Sequence, residues 1–350
     1  MFSLKSAKRI LKYEIIRAGL EVSAIPVIRA LFPKAGGRGL IFTLHHVRPD
    51  APPAFGPNAI LSVTPQFLEE AINAALELNL TPVHLHDLPT LLSDPTDLRS
   101  FVAFTLDDGY RNNAQFAAPL FRKYKVPYTI FISPGLTQRT RSMWWETAEA
   151  LVRQQDKFDF DFGQGTETII AASLTQKYDA FDRLAAFVHS NDEDVAVARI
   201  DAAARQYGVD PLSIVDNLIM TTDELRQLVS DDAFAHMGAH TMTHVNLKRV
   251  DQARLESEIR QSISILSGFT GVKPRSFSYP YGYKSATGER EADAVLSAGI
   301  PVAVTTQPGV LSNASLDTMG LLPRVSLNGL FQKKRYVKAL VSGIPFKIVK

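Results

Sequence analysis

The sequence predicts an α/β protein folded as a distorted parallel β/α barrel with a mostly helical insertion. Three observations predict it. Short apolar runs recur, each followed by a helix-like segment, as in parallel strands joined by crossover helices. Several of these runs end in polar residues, where barrel active sites lie. One stretch, about 144–220, is helical and charged and lacks such runs, as an insertion on the barrel would.

Gly39 to His45 reads as the first buried strand. Thr64-Pro65 caps a helix whose Phe67, Leu68, Ile72, Ala75, Leu76 and Leu80 keep helical spacing, and a second strand follows at Pro82 to Leu85. Phe101 to Leu106 is a third strand, ending in Asp107-Asp108-Gly109; a helix through Asn113 to Tyr124 leads to a fourth, Tyr128 to Ile132. Beyond the insertion, Thr221-Thr222-Asp223-Glu224 is a capping box, because a threonine hydroxyl and a glutamate three residues later can satisfy each other's end of the first turn. Strands at Ala235 to Ala239, Ser276 to Tyr279 and Ile300 to Thr305 alternate with helices at Arg254 to Leu266 and Glu289 to Ser297. Leu321-Leu322-Pro323-Arg324-Val325 adds one more strand or a closing loop. The expected domains are a helical extension over 1–38, the barrel over 39–330 and a basic tail over 331–350.

With 350 residues, 45% of them hydrophobic and 21% charged, the chain buries a full core, which excludes a disordered or fibrous protein. It has no cysteine, so any metal takes nitrogen and oxygen ligands, and a reducing, cytoplasmic setting fits. A net charge of +2 argues against a nucleic-acid binder. Basic residues nevertheless gather at Lys5, Lys8, Arg9, Lys12 and Arg17, and at Lys333, Lys334, Arg335, Lys338, Lys347 and Lys350. Near the start they interleave with Phe2, Leu4, Ile10, Leu11, Ile15 and Ile16. That pattern suits either peripheral contact with an anionic membrane or a helix packed on the domain with a solvated basic face. The apolar stretch at 15–32 is too broken by Arg17, Glu21, Pro26 and Arg29 to span a membrane or to make a signal-peptide core.

Three segments carry chemistry. Thr105 to Gly109 delivers two adjacent carboxylates from a buried strand to a tight turn, one able to face a metal and its neighbour a water, although Asp-Asp-Gly is also an ordinary surface turn. His240 and His244, four apart, share a face if the stretch turns helically, and with one carboxylate they supply three ligands and leave a position open for water. Ser276 to Gly282 is a strand entering a turn whose backbone N–H groups can meet a ligand; Pro280 has none, so Tyr281 would donate.

Together, in this order, the segments resemble the three motifs of the polysaccharide deacetylase family, also called the NodB-homology or carbohydrate esterase family 4 group, over roughly residues 39–325. The resemblance implies a barrel of that type and metal-dependent hydrolysis of N-acetyl groups from N-acetylglucosamine-containing oligo- or polysaccharide. It makes Asp107 the general base, Asp108, His240 and His244 the ligands of a divalent metal with zinc the default, and the Tyr281 N–H the oxyanion donor. Amide hydrolysis needs such a set: a polarising cation, a base for the water's proton and an acid for the leaving amine.

Two family positions differ. Ser278 stands where many members carry the arginine that orients the base, and no histidine follows His244 to serve as the late acid. His45, at the end of the first strand, is the expected replacement acid, and Arg324, with Arg275 as the alternative, the expected orienter. Tyr110, Trp144 and Trp145 are read as either a sugar platform or plain core. Competing functions are an amidohydrolase acting on a non-sugar amide, a noncatalytic carbohydrate-binding relative, and a glycosidase; the last is disfavoured because adjacent aspartates do not flank a glycosidic bond at ~5 Å or more.

Overall fold

The structure, a computed structural model, describes the backbone of residues 4–348 and the side chains of 11–347. Phe2 and Lys350 lie outside the described residues, as do the side chains of Leu4, Lys5, Lys8, Arg9 and Ile10. Seven parallel strands form the barrel: β1 (Gly39–Leu44), β2 (Phe101–Leu106), β3 (Tyr128–Ile132), β4 (Ala235–Ala239), β5 (Ser276–Ser278), β6 (Val302–Val304) and β7 (Val325–Ser326). Their spatial order is β6-β5-β4-β3-β2-β1-β7. The ring is closed only by a parallel bridge from Leu322, just ahead of β7, to Val304 of β6, so the barrel is distorted, as expected. The expected strand Pro82 to Leu85 is cut to Thr81–Pro82, which pairs with the start of β2 before the chain turns into a short helix at Leu85–Asp87.

Side-chain alternation separates two cores. Phe42 and Leu44 of β1, Phe104 and Leu106 of β2 and Ile130 of β3 face the outer helices. Ile41, Phe101, Ala103, Phe131, Val302 and Val304 fill the barrel interior. The inward parity of β2 runs 101, 103, 105, 107, so the strand itself aims Asp107 into the mouth. On β4 it runs through His236, Gly238 and His240. Gly238 is small for a reason: a Cβ there would sit 2.4 Å from the ring of Phe131, which occupies the middle of the barrel.

The insertion is less purely helical than its sequence reads. Helix Trp144–Gln154 leads into an antiparallel hairpin, Lys157–Asp161 with Thr166–Ile170, before helices Leu174–Ser190, Glu193–Gln206 and Pro211–Leu218. Alternating Phe158 and Phe160 bury one face of that hairpin, a short-period signal hidden among charges. The insertion has its own core, which also takes in Tyr110 and Tyr281 and so seats it over the mouth. The capping box at Thr221 and Glu224 forms as read.

Residues 331–350, read as a tail, contain helix Lys334–Val341 instead. Tyr336 and Ala339 pack with Leu20 of helix Leu4–Ala24. Arg335 pairs with Glu21 at 2.7 Å, and Lys334 and Lys338 with Glu77 at 2.5 and 2.8 Å. The basic run at this end therefore docks against the domain through exposed pairs, each of them weak because water screens it. Among the described residues no helix is long and apolar enough to cross a membrane.

Candidate active site at the barrel mouth

The C-terminal ends of β1, β2, β4 and β5, together with Arg324 just ahead of β7, bring the expected residues to one place. Asp107 receives a two-pronged contact from Arg324, Nη1 to Oδ1 and Nη2 to Oδ2, both at 2.7 Å. The guanidinium is fully buried and also donates to the Thr305 carbonyl at 2.8 Å, the Thr105 hydroxyl at 3.0 Å and the Ser278 hydroxyl at 2.9 Å. Ser278 in turn donates to Asp107 Oδ2 at 3.3 Å. Burial alone would raise the Asp107 pKa; the charge and hydrogen bonds of Arg324 outweigh it and hold the carboxyl below its ordinary value. Of the two arginines read as possible orienters, Arg324 is the one that contacts Asp107. Arg275 lies instead at the opposite end of the barrel, near His86 and His236.

Asp108 Oδ1 stands 3.5 Å from His240 Nε2 and 3.4 Å from His244 Nε2. These separations are long for hydrogen bonds, and Oδ1 is a buried atom without a partner. They match the roughly 3.3–3.4 Å between ligands held at about 2.0–2.1 Å around a tetrahedral ion. This trio is the group among the described residues whose donor atoms converge. His240 Nδ1 lies 2.7 Å from the Ser278 carbonyl; it can only donate there, which leaves Nε2 as the lone-pair nitrogen aimed at the trio. The donor set therefore fits a divalent cation.

His240–His244 is not helical, contrary to the spacing argument. It is a loop in which Thr241 and His244 adopt left-handed backbone conformations, φ 59° and 56°. Glu258 holds this loop: Oε2 accepts from the N–H groups of Met242 and Thr243, both at 2.8 Å, and Oε1 from the Thr243 hydroxyl at 2.7 Å. Sequence reasoning missed Glu258, although a carboxylate on the apolar stripe of Leu255, Ile259, Ile263 and Leu266 was a usable signal. Asp108 and Tyr281 also have positive φ, 73° and 63°. Four such non-glycine residues at one site mark backbone held in place by its surroundings.

Tyr281 is turned so that its carbonyl accepts from the Thr306 hydroxyl at 2.6 Å, while its N–H meets no acceptor among the described residues. Its phenol donates to Glu193 at 2.7 Å and accepts from Trp144 Nε1 at 3.0 Å. Glu193, also missed, bonds the Asn246 N–H at 2.9 Å and so ties the insertion to the histidine loop. His45 reaches the mouth half-buried; burial pulls its pKa down, opposed by the charges of Asp108 and Asp107. Its neighbour His46 is buried instead against Tyr110, ring centres 3.6 Å apart. The ring of Trp145 sits 4.7 Å from His244, and that of Tyr281 5.3 Å. Trp144 and Trp145 are only 6% and 7% exposed, so they wall the site and present little ring face to a sugar.

Comparison with known proteins finds a family pattern and likenesses of fold. The polysaccharide deacetylase family pattern matches residues 185–299, a segment holding His240, His244 and Tyr281 but not the two aspartates. By fold the chain is similar to the Streptococcus pyogenes deacetylase PplD in complex with acetate, at TM-score 0.54 and 14% identity over 83% of this chain and 93% of that one. It is also similar to the putative polysaccharide deacetylase BA0330 from Bacillus anthracis, at 0.53 and 14% over 87% and 68%, and to IcaB from Ammonifex degensii, at 0.51 and 14% over 85% and 96%. At such identities the likeness is one of fold. No curated protein matches by sequence.

Proposed function

We propose that this chain, which carries the polysaccharide deacetylase pattern over residues 185–299 and shares that family's fold, removes N-acetyl groups from N-acetylglucosamine-containing oligo- or polysaccharide with the help of a divalent metal, zinc by default. One observation carries the reading: a carboxylate and two imidazoles spaced for a cation stand beside a second carboxylate clamped by a buried arginine. A cation there would polarise the acetyl carbonyl and sharpen the attacking water. Asp107, kept ionised by Arg324, takes the water's proton. The free N–H of Tyr281 faces the oxygen as it gains charge. His45 protonates the amine as the C–N bond breaks, yielding acetate and a free amino sugar. Burial outweighs the charges of Asp108 and Asp107 and holds its pKa below the ordinary value, so the proton it gives up is held weakly.

The metal-loaded protein is expected to release acetate from acetylated chitooligosaccharides, to stop on treatment with a chelator and to resume on adding zinc. Absence of release with every divalent metal tried would favour the noncatalytic relative, and release from simple acetamides alone the non-sugar amidohydrolase.

The reading includes a cytoplasmic location at an anionic membrane surface. Leu11, Ile15, Val22, Val27 and Leu31 are exposed on the first two helices and Phe32 just after them, beside Lys12, Arg17, Arg29 and Lys34. Co-sedimentation with anionic vesicles that weakens at high salt is expected, with none on neutral vesicles; equal binding to both would overturn it.

A further inference from the structure

At the other end of the barrel from the mouth, three histidines meet. His84 and His86 come from the short helix Leu85–Asp87 at the floor and the residue just before it, and His236 is the first inward residue of β4. Ring centres lie 5.0 Å apart for His84 and His86, 4.3 Å for His86 and His236 and 6.4 Å for His84 and His236. Three imidazoles bound through one nitrogen each to a tetrahedral ion at about 2.0–2.1 Å place their centres about 5 Å apart. His240 and His244 at the mouth show the same spacing, 5.0 Å. Each floor histidine also carries one buried nitrogen without a partner: Nδ1 of His84, Nδ1 of His86 and Nε2 of His236. Three orphaned nitrogens in one cluster are unusual, since buried polar atoms nearly always find partners.

We infer that His84, His86 and His236 form a second metal site, one for a borderline transition ion such as zinc, cobalt, nickel or copper, with water completing its shell. The all-nitrogen donor set excludes magnesium and calcium as ligands of choice. Burial keeps the rings neutral, the form that binds metal, with His86 pushed down to about 4 and His236 to about 3. Asp87 Oδ1, 3.6 Å from His86 Nε2, offsets the positive charge of nearby Arg275. Convergence requires the rings to turn about Cβ–Cγ, because the trio at the mouth is the group whose donors already converge among the described residues. The rings of His84 and His86 lie within 20° of parallel, so one of them must also swing out of that stack for both lone pairs to meet one ion. The site is separate from the mouth: His236 and His240 are four residues apart on β4, roughly 13 Å at about 3.3 Å per residue, with Phe131 filling the barrel between. It does not rest on the deacetylase reading.

Titration of the metal-free full chain with cobalt(II), followed by visible absorption and metal analysis, tests it. The expected result is one cobalt per chain fewer in His86→Gln/His236→Gln than in the unaltered protein, and equal stoichiometry overturns the site. If that variant does not fold, Asp108→Asn/His240→Gln answers the same question: one remaining equivalent supports a floor site, and none overturns it.

Discussion

Replacing Asp107 by asparagine is expected to lower kcat by roughly 10²–10⁴-fold, the usual worth of a positioned general base, while metal content stays at the level of the unaltered protein. Asn keeps the shape and can still accept from Arg324, but it cannot take a proton. Arg324 then lacks its counter-charge, though it retains its bonds to the Thr305 carbonyl and the hydroxyls of Thr105 and Ser278. Turnover must therefore be compared on protein shown to be folded by circular dichroism. Metal loss in parallel with activity would move Asp107 from base to ligand, and turnover within a few-fold of the original would remove it from the chemistry.

Arg324→Met should produce the largest stability change of any single substitution at the mouth, about 3–5 kcal/mol in urea denaturation. It leaves a carboxylate in a buried site with no compensating charge. A second consequence concerns pH. Asp107 acts only when ionised, and in the intact site the guanidinium keeps it so to below the ordinary carboxylate value of 3.8. Without Arg324 burial dominates, the pKa rises, and the acid limb of the pH–rate profile moves to higher pH. Arg324→Met/Asp107→Asn should recover much of the lost stability without recovering activity, since the stranded charge is gone. A single variant that loses less than about 1 kcal/mol, with an unmoved acid limb, would show that the pair is not coupled as its geometry indicates.

The parts of this site that sequence makes legible are those written in strand ends. Asp107 and Asp108 follow a fully buried strand, and His240 directly follows another, so inward parity alone places Asp107 and His240. Arg324 could be weighed against Arg275 only by supposing that the first and last strands meet, and the neighbouring positions of β7 and β1 meet that supposition. The loop at His244 was misread because a four-residue spacing also arises when two left-handed residues fold the chain back, which spacing cannot distinguish from a helical turn. Glu193 left no pattern because its partners, the Asn246 N–H and the Tyr281 phenol, are distant in sequence, whereas Glu258 left one only in its place on an apolar stripe. The floor histidines left no pattern either, since two come from a short helix and the residue just before it and the third from a strand about 150 residues later.

The clamp on Asp107 joins residues 217 positions apart, and the strand that Arg324 leads into closes the ring against the strand that began it. On a ribosome the aspartate is thus made long before its arginine. Until the segment around Arg324 emerges, that carboxyl sits in a half-built ring with burial pressing it to hold a proton. Competence would then arrive late and all at once, once Arg324 has been made and has reached Asp107, and shorter chains would be silent even with both mouth histidines already in place.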